Sequence, residues 1–217
     1  MTTDCPANPS GPPTGPGRPV DPDKLERILD AVLESFADGD LHLTIEGVAR
    51  RAGVSKGTVY RHFENAEALL KATLARQHRK MVGPVPLSVD SIEGLREQLV
   101  SLGMQLLDFM ASDHGVRIMR TVIAHGAKHG KLGSLIFHDG PEAFVRCAAD
   151  CLQSAAANGQ IEVEEPLLVA EQLVGMWKGS LVTGLWMNGR AAPDQAEKRH
   201  RVESAVNLLL RALRSKA

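Results

Sequence analysis

The sequence has few aromatic residues, few cysteines and no excess of charge of either sign. Aromatics make up 4% of its 217 residues, three residues are cysteine, and the formal net charge at pH 7 is −1. Three cysteines exclude a disulfide framework. A near-zero net charge excludes a general electrostatic attraction of the whole protein to nucleic acid. The low aromatic content is typical of packed helices rather than of a β-rich sandwich, and no long β-pattern competes, so we expect an all-α fold.

The sequence also lacks long uninterrupted apolar runs. No apolar stretch near the N-terminus resembles a signal peptide, and Glu171, Lys178 and Arg190 interrupt the apolar segments near the C-terminus. We therefore expect a cytoplasmic protein that has no membrane partner. The length is sufficient for one large or two small domains with a substantial core.

One short segment, residues 44–63, has the pattern of a helix-turn-helix. Thr44 can cap a short first helix, whose apolar residues recur at helical spacing. Gly53 supplies the left-handed backbone position that ends this helix. Ser55 can cap a second helix at once, so the pattern predicts two helices joined by a tight turn.

The second of these helices has an apolar side and a polar side. Val59 and Phe63 lie four residues apart and can anchor the helix to a core. Hydroxyls and cations on the other side suit base edges and phosphates, and a glycine there lets the backbone come close to a major groove. The predicted outward set is Lys56, Gly57, Thr58, Tyr60, Arg61 and His62.

The local charge favours DNA binding although the net charge does not. Arg50, Arg51, Lys56 and Arg61 occur between residues 47 and 63 with no acidic residue among them. A basic patch on a near-neutral chain is typical of selective, salt-sensitive DNA binding. The alternative is a solvated corner whose cations only keep it soluble, since similar corners occur in unrelated helical proteins.

The run AGVSKGTVYRHFENAEALL, residues 52–70, resembles the N-terminal signature of the TetR/AcrR family of bacterial transcriptional regulators. The resemblance implies a three-helix helix-turn-helix domain followed by a helical ligand-binding and dimerisation domain. It also implies phosphate or base contacts by Thr44, Ser55, Lys56, Gly57, Thr58, Tyr60 and His62. One position departs from the family pattern, because Ala66 stands where a lysine is usual near the start of the fourth helix. One phosphate contact is therefore expected to be missing.

Composition divides the chain into three regions. Residues 1–20 hold six of the twelve prolines and are expected to form a disordered tail. Arg18 in this tail could reach DNA like a homeodomain arm, or could belong to a plain linker. The DNA-binding domain is predicted at 21–82 and the helical ligand-binding and dimerisation domain at 83–217.

Helix boundaries follow from caps and breakers. The first helix is predicted to begin at Asp21-Pro22, to end at Gly39 and to cover the back of the helix-turn-helix; the fourth is predicted from Asn65 to about Met81. Later helices are predicted near 91–111, 114–128, 133–157, 166–188 and 194–214. Asp139-Gly140-Pro141 is expected to break the third of these into a short and a long piece.

Soft, bulky apolar residues are scattered through the second domain. Methionine and aromatic side chains adapt to apolar ligands, and a pocket between bundle helices is a usual place for one. The alternative is that they form ordinary core. With the family resemblance, they predict a site for a small apolar or amphipathic effector. The predicted ligand-binding residues are Met104, Phe109, Met119, Phe144, Trp177 and Leu181.

A regulator of this kind needs two linked copies, because one short recognition helix reads too few bases for genomic selectivity. At about 100° per residue, one face of the predicted helix 166–188 mixes small and apolar residues and suits a homodimer interface. The opposite face suits the subunit interior. The alternative is that both faces are intrachain core. The predicted interface residues are Gly175, Gly179, Val182, Trp186, Val206 and Leu210.

Two helical pairs, His125 with His129 and Cys147 with Cys151, could each face one way. Neither has the multi-ligand spacing of a zinc motif, so we expect no metal and no cofactor. No enzymatic motif is present. The sequence therefore predicts a dimeric repressor that binds palindromic double-stranded operator DNA and is released by an effector. The alternative is a helical protein-interaction module without ligand-controlled DNA binding.

Overall fold

The computed structural model describes residues 22–83 and 89–213, and every regular element within them is helical. The all-α prediction is confirmed. A single π-helical turn, His138–Glu142, lies between the seventh and eighth α helices. In chain order the α helices are α1 Pro22–Ala37, α2 Ile45–Ala52, α3 Lys56–His62, α4 Ala66–Val82, α5 Ile92–Met110, α6 Asp113–Gly126, α7 Gly130–Phe137, α8 Ala143–Ala157, α9 Pro166–Trp186 and α10 Gln195–Ala212.

Local sequence signals account for most helix starts. Six helices begin after a side chain that accepts a hydrogen bond from the backbone N–H three residues later, which satisfies one of the free donors of the first turn. These caps are Thr44, Ser55, Asn65, Ser91, Ser112 and Asp194. As predicted, Gly53 ends α2 in the left-handed conformation, at φ 66° and ψ 37°, where a Cβ atom would be strained.

Helices α1 to α4 form one apolar core, and the second domain completes it. Ile28, Phe36 and Val59 are almost fully buried in this core. Ile118 from α6 and Ile136 from α7 belong to the same cluster, with 5% and 8% of their surface exposed. The first four helices are therefore in direct apolar contact with the helices that follow.

A buried arginine fixes α4 against α1. Arg76 is 5% exposed, and its guanidinium donates to Glu26 at 2.8 Å and to Asp30 at 2.6 Å. A third bond reaches the Glu26 carbonyl at 3.3 Å. Because a buried charge must be paired to be tolerated, these contacts hold the two helices in a fixed orientation.

The second core lies among α5, α8, α9 and α10. Trp177 on α9 is fully buried there. A Cβ atom added at Gly103 on α5 would lie 2.6 Å from Val202 Cγ1 and 2.8 Å from Trp177 Cε2. Glycine at this position therefore allows the three helices to approach closely.

The break predicted at Asp139-Gly140-Pro141 is confirmed, since the segment predicted at 133–157 begins at Gly130 and the π-helical turn that contains these three residues divides it into a short and a long helix. One helix prediction needs correction. Helix α9 is not continuous, because Gly179 adopts φ 45° and ψ −148°. A helical wheel drawn across residues 166–188 therefore assigns faces wrongly beyond the kink.

Two sequence predictions lie outside the described residues: the tail 1–20 with Arg18, and the helix start at Asp21. Of the helices in the described part of the chain, none has the length and apolar character to cross a bilayer.

Candidate DNA-binding surface and effector cavity

Helix α3 is held by a cap at its start and by two buried anchors. Ser55 Oγ accepts a hydrogen bond from Thr58 N at 3.1 Å and lies 2.8 Å from Thr58 Oγ1. Val59 is fully buried and Phe63, which follows the last helical residue, is 8% exposed. Their predicted burial is confirmed, and it turns the other residues of α3 outward.

The outward side of α3 carries the polar residues that the sequence predicted there, and we name it the recognition surface. Its members are Lys56, Gly57, Thr58, Tyr60, Arg61 and His62. Tyr60 is 52% exposed, Lys56, Gly57 and Arg61 are exposed, and Thr58 and His62 are half-buried. These side chains supply hydrogen-bond donors, cations and an aromatic edge to the surroundings. That these residues contact DNA stays a prediction.

Thr44 lies at the start of α2, next to this surface. Its Oγ1 accepts a hydrogen bond from Gly47 N at 3.1 Å, as predicted for a cap. A hydroxyl that accepts from the backbone still has its own O–H to donate. Thr44 can therefore bind a phosphate oxygen while it continues to cap the helix.

Two of the four cations counted from the sequence are already paired. Lys56 Nζ lies 2.8 Å from Glu46 Oε1. Glu46 lies ten residues earlier, in the first turn of α2, and the tight turn that packs α3 against α2 brings it next to Lys56. The Lys56 ammonium holds the pKa of Glu46 below its usual range. Arg51 pairs with Asp38. Arg50 and Arg61 are exposed and have no ion pair within the described residues.

Asp38 is shared between the helix-turn-helix and α6. One carboxylate oxygen lies 2.5 Å from Arg51 Nη1, and the other accepts from Arg117 Nη2 at 2.7 Å. Arg117 also donates to the Ala37 carbonyl at 3.0 Å, at the end of α1. Both arginines lower the pKa of Asp38, Arg51 more strongly. The carboxylate therefore links α6 electrostatically to α2.

Ala66 is the first residue of α4 and packs, half-buried, against the first core. Asn65 caps the helix there and accepts from Ala68 N at 2.9 Å. A methyl group at this position offers nothing to a phosphate. The structure thus agrees with the absence of a side-chain contact at Ala66, while the DNA contact itself stays untested.

A cavity of about 280 Å³ lies at the junction of the two domains. Its wall is mostly apolar and takes residues from α1, α4, α5, α6, α7, α8 and α9, with part of the π-helical turn. Leu33 and Phe36 come from α1, and Leu74 and Met81 come from α4. Two helices of the DNA-binding domain, α1 and α4, therefore form part of the cavity wall.

Half of the predicted ligand-binding residues line this cavity. Phe109, Met119 and Phe144 do so. Met104, Trp177 and Leu181 do not, and these three predictions are corrected. Trp177 and Leu181 are fully buried in the second core, and Met104 packs half-buried against that core. Sequence identifies bulky apolar residues but not the side of a helix that meets a cavity.

Several polar residues of the cavity wall were not predicted from the sequence. Gln77 and His78 on α4, Glu142 in the π-helical turn, and Glu171 and Lys178 on α9 all line the cavity. Burial, and then the charge of nearby Arg146, lowers the pKa of His78, so its imidazole is neutral at pH 7. The spacing of Leu74, Gln77, His78 and Met81 by about one helical turn could have indicated them, because it puts these four residues on the same side of α4.

The predicted dimer residues divide into two groups. Val182, Val206 and Leu210 are 2%, 0% and 7% exposed within the single chain, so they belong to the chain's own core and their assignment to a partner-facing seam is corrected. Gly175 and Gly179 are exposed and Trp186 is half-buried. The kink at Gly179 explains the error at Val182, since it separates the faces of the two halves of α9. Val206 and Leu210 lie on α10, on the side that packs into the second core.

Within the described residues, no third candidate ligand lies beside either of the two pairs that were considered as metal ligands. Cys147 and Cys151 are both buried in the second core as free thiols. His125 and His129 lie at the end of α6 and just before α7. Across residues 22–83 and 89–213, no three candidate ligands come together.

The recognition surface makes a paired prediction possible. Tyr60→Ala should weaken binding to an operator fragment by about 10-fold or more, because one base-edge contact contributes about 1–3 kcal/mol, while the melting temperature stays unchanged. Phe63→Ala should lower the free energy of unfolding by about 3–5 kcal/mol. Fluorescence anisotropy and thermal unfolding measure the two effects. Wild-type affinity in folded Tyr60→Ala protein would contradict the assignment.

The Lys56–Glu46 pair gives a second prediction. Glu46→Gln should strengthen DNA binding about two- to five-fold at low salt. In the wild type, Lys56 must break its ion pair with Glu46 before it binds a phosphate, and the variant removes this cost, which is small because exposed ion pairs are weak. Glu197→Gln, which removes the partner of Arg190 near the start of α10, is the control for net charge. Equal affinities of Glu46→Gln and wild type would show that Lys56 does not leave Glu46 for DNA.

Comparison with known proteins matches both halves of the chain. Residues 28–73 match the model of the tetR family of bacterial regulatory proteins, and residues 97–214 match that of the AefR-like transcriptional repressor, C-terminal domain. The HTH-type transcriptional regulator SrpR of Pseudomonas putida is 30% identical over 78% of this chain and 76% of its own. The HTH-type transcriptional repressor KstR of Rhodococcus jostii is 26% identical over 87% of this chain and 83% of its own.

Solved structures show the same fold. A TetR transcriptional regulator from Agrobacterium tumefaciens superposes with a TM-score of 0.69 at 24% identity, covering 92% of this chain and 96% of that one. The flavonoid-responsive regulator FrrA superposes with a TM-score of 0.68 at 23% identity, covering 91% and 100%. The relatives are transcriptional regulators, a non-enzymatic family. Since both domains match in order, the chain belongs to the TetR family of bacterial transcriptional regulators and is an HTH-type regulator.

Proposed function

We propose that this regulator is a homodimeric cytoplasmic repressor that a small apolar or amphipathic effector releases from a palindromic operator. The observation that carries the proposal is the position of the cavity. Its wall includes Leu33 and Phe36 of α1 and Leu74 of α4, which belong to the domain that carries the recognition surface. An occupant would therefore touch that domain directly.

Direct contact matters because an effector shifts an equilibrium only by its difference in affinity between two conformations. An apolar ligand that fits the cavity better when α4 and α1 are displaced would favour that displacement. Helix α4 follows α3 after three residues, so a shift of α4 changes the position of the recognition surface. After such a shift, the recognition surfaces of the two subunits would no longer match successive major grooves, which lie about 34–36 Å apart.

Helix α6 connects the cavity to two other parts of the chain. Ile118 and Met119 line the cavity, and Arg117 on the same helix binds Asp38 and the end of α1. Arg120 donates to the carbonyls of Leu185 and Trp186 at 2.8 and 2.9 Å, at the end of α9. One turn of α6, residues 117–120, thus contacts the DNA-binding domain, the cavity and α9.

The outer face of α9 and α10 supports the proposed homodimer. Large apolar residues remain exposed on α9, directly after its end and on α10, with Leu168 at 44%, Met187 at 77% and Leu208 at 57%. Exposed large apolar residues are typical of an interface. With Gly175 and Trp186, they form the seam that we propose in place of the buried residues Val182, Val206 and Leu210.

A cavity-filling substitution tests the proposal without a known effector. Val122 on α6 lines the cavity, whereas the next residue, Ile123, is 55% exposed. Val122→Phe should occupy part of the cavity and lower operator affinity about 5- to 150-fold, the usual range of allosteric coupling. Ile123→Phe adds a ring on the outer side of the same helix and should leave affinity unchanged.

The measurement is anisotropy titration of a genomic fragment selected by the wild-type protein, with sedimentation and thermal unfolding on each variant. Equal affinity of the two folded variants would contradict coupling between cavity and DNA. A monomer by sedimentation would contradict the homodimer. Failure of the wild type to retain any genomic fragment would favour the protein-interaction alternative.

A further inference from the structure

A second group of cations lies outside the recognition surface, where α6 ends and α7 begins. We name it the α6–α7 corner, formed by Lys128, His129 and Lys131. All three are exposed, and none has an ion pair within the described residues. An exposed cluster of cations without acidic partners is available to a polyanion.

The corner lies beside the first turn of α4. The charges of Lys71 and, less strongly, Lys131 hold the pKa of Glu67 below its usual range. Glu67, and to a smaller extent Asp139, raise the pKa of Lys71. The start of α7 is thus near Glu67 and its continuation near Lys71, so α7 runs along α4 in the same direction.

Apolar packing gives the same placement independently. Leu132 and Leu135 of α7 pack against the first core, and so do Ala66 and Ala68 from the first turn of α4. The start of α7 and the start of α4 therefore rest on one apolar cluster.

The corner is held close to α6 by two glycines. A Cβ atom added at Gly133 would lie 2.7 Å from the Gly126 carbonyl oxygen. Contact between backbones at this distance fixes where the intervening lysines begin. Lys128 and Lys131 are therefore presented from a constrained turn.

The first turn of α4 is also the place where the family resemblance expects a phosphate-binding lysine and the chain has Ala66. It comes three residues after the last residue of α3, so it lies at the edge of the recognition surface. A missing cation and a group of unpaired cations therefore occur at the same end of α4.

We propose that the α6–α7 corner binds the operator backbone, and that Lys128 and Lys131 provide the phosphate contact that Ala66 does not. The corner belongs to the second domain, so this domain would hold DNA directly as well as through α1 to α4. The proposal rests on DNA binding by the recognition surface. It adds positioning contacts and no base readout, since phosphate contacts carry no sequence information directly.

The test compares three variants in operator binding as a function of salt. Lys128→Ala combined with Lys131→Ala should lower affinity about 10-fold or more near 0.1 M salt and should reduce the log–log salt slope by about one for each lost contact in each subunit. Lys80→Ala, an exposed lysine in the last turn of α4, is the matched control and should leave the slope within about one of wild type. Adding Ala66→Lys to the double variant should restore affinity and slope.

Thermal unfolding confirms that each variant is folded; because both lysines are exposed, Lys128→Gln with Lys131→Gln repeats the test should the alanine variant unfold. A double-variant slope equal to that of wild type would overturn the corner as a DNA contact. Absence of wild-type binding would instead overturn the proposed function. Tyr60→Ala distinguishes the two kinds of contact, because it should lower affinity while it leaves the salt slope unchanged.

Discussion

The apolar core of the DNA-binding domain extends into the second domain, and this shared packing constrains the rest of the structure. Ile118 and Ile136 are nearly buried among residues of α1 to α4. Burial of an isoleucine contributes about 1.5–3 kcal/mol, and domains of about 60 residues are marginally stable alone. The helix-turn-helix therefore depends on α6 and α7 for part of its stability, and a movement of either helix alters its core.

Polar contacts follow the same path. Asp38 joins Arg51 of α2 to Arg117 of α6, and Arg120 one turn later holds the end of α9. Because the cavity opens between these contacts, an occupant acts on packed helices that have few alternative positions. This arrangement gives a physical basis for linking a ligand site to a DNA-binding surface in one chain.

Sequence was sufficient where the determinants are local. Thr44, Gly53 and Ser55 act within a turn of their own position, so the helix-turn-helix could be predicted in detail. The cavity depends on contacts between distant segments, which is why Trp177 was assigned to it and His78 was not. Val182 was assigned to the dimer seam for a related reason, since the helical wheel assumed ideal geometry at Gly179, where the backbone departs from it.

Amide hydrogen exchange in Ile118→Ala, compared with Ile123→Ala, tests the shared core most directly. Ile118 is 5% exposed and Ile123 is 55% exposed, so the two variants remove the same atoms from the inner and outer sides of α6. Ile118→Ala should speed exchange in α1 to α4 together with α6, while Ile123→Ala should leave both unchanged. Faster exchange confined to α6, with α1 to α4 protected as in wild type, would show that the two domains do not share a core.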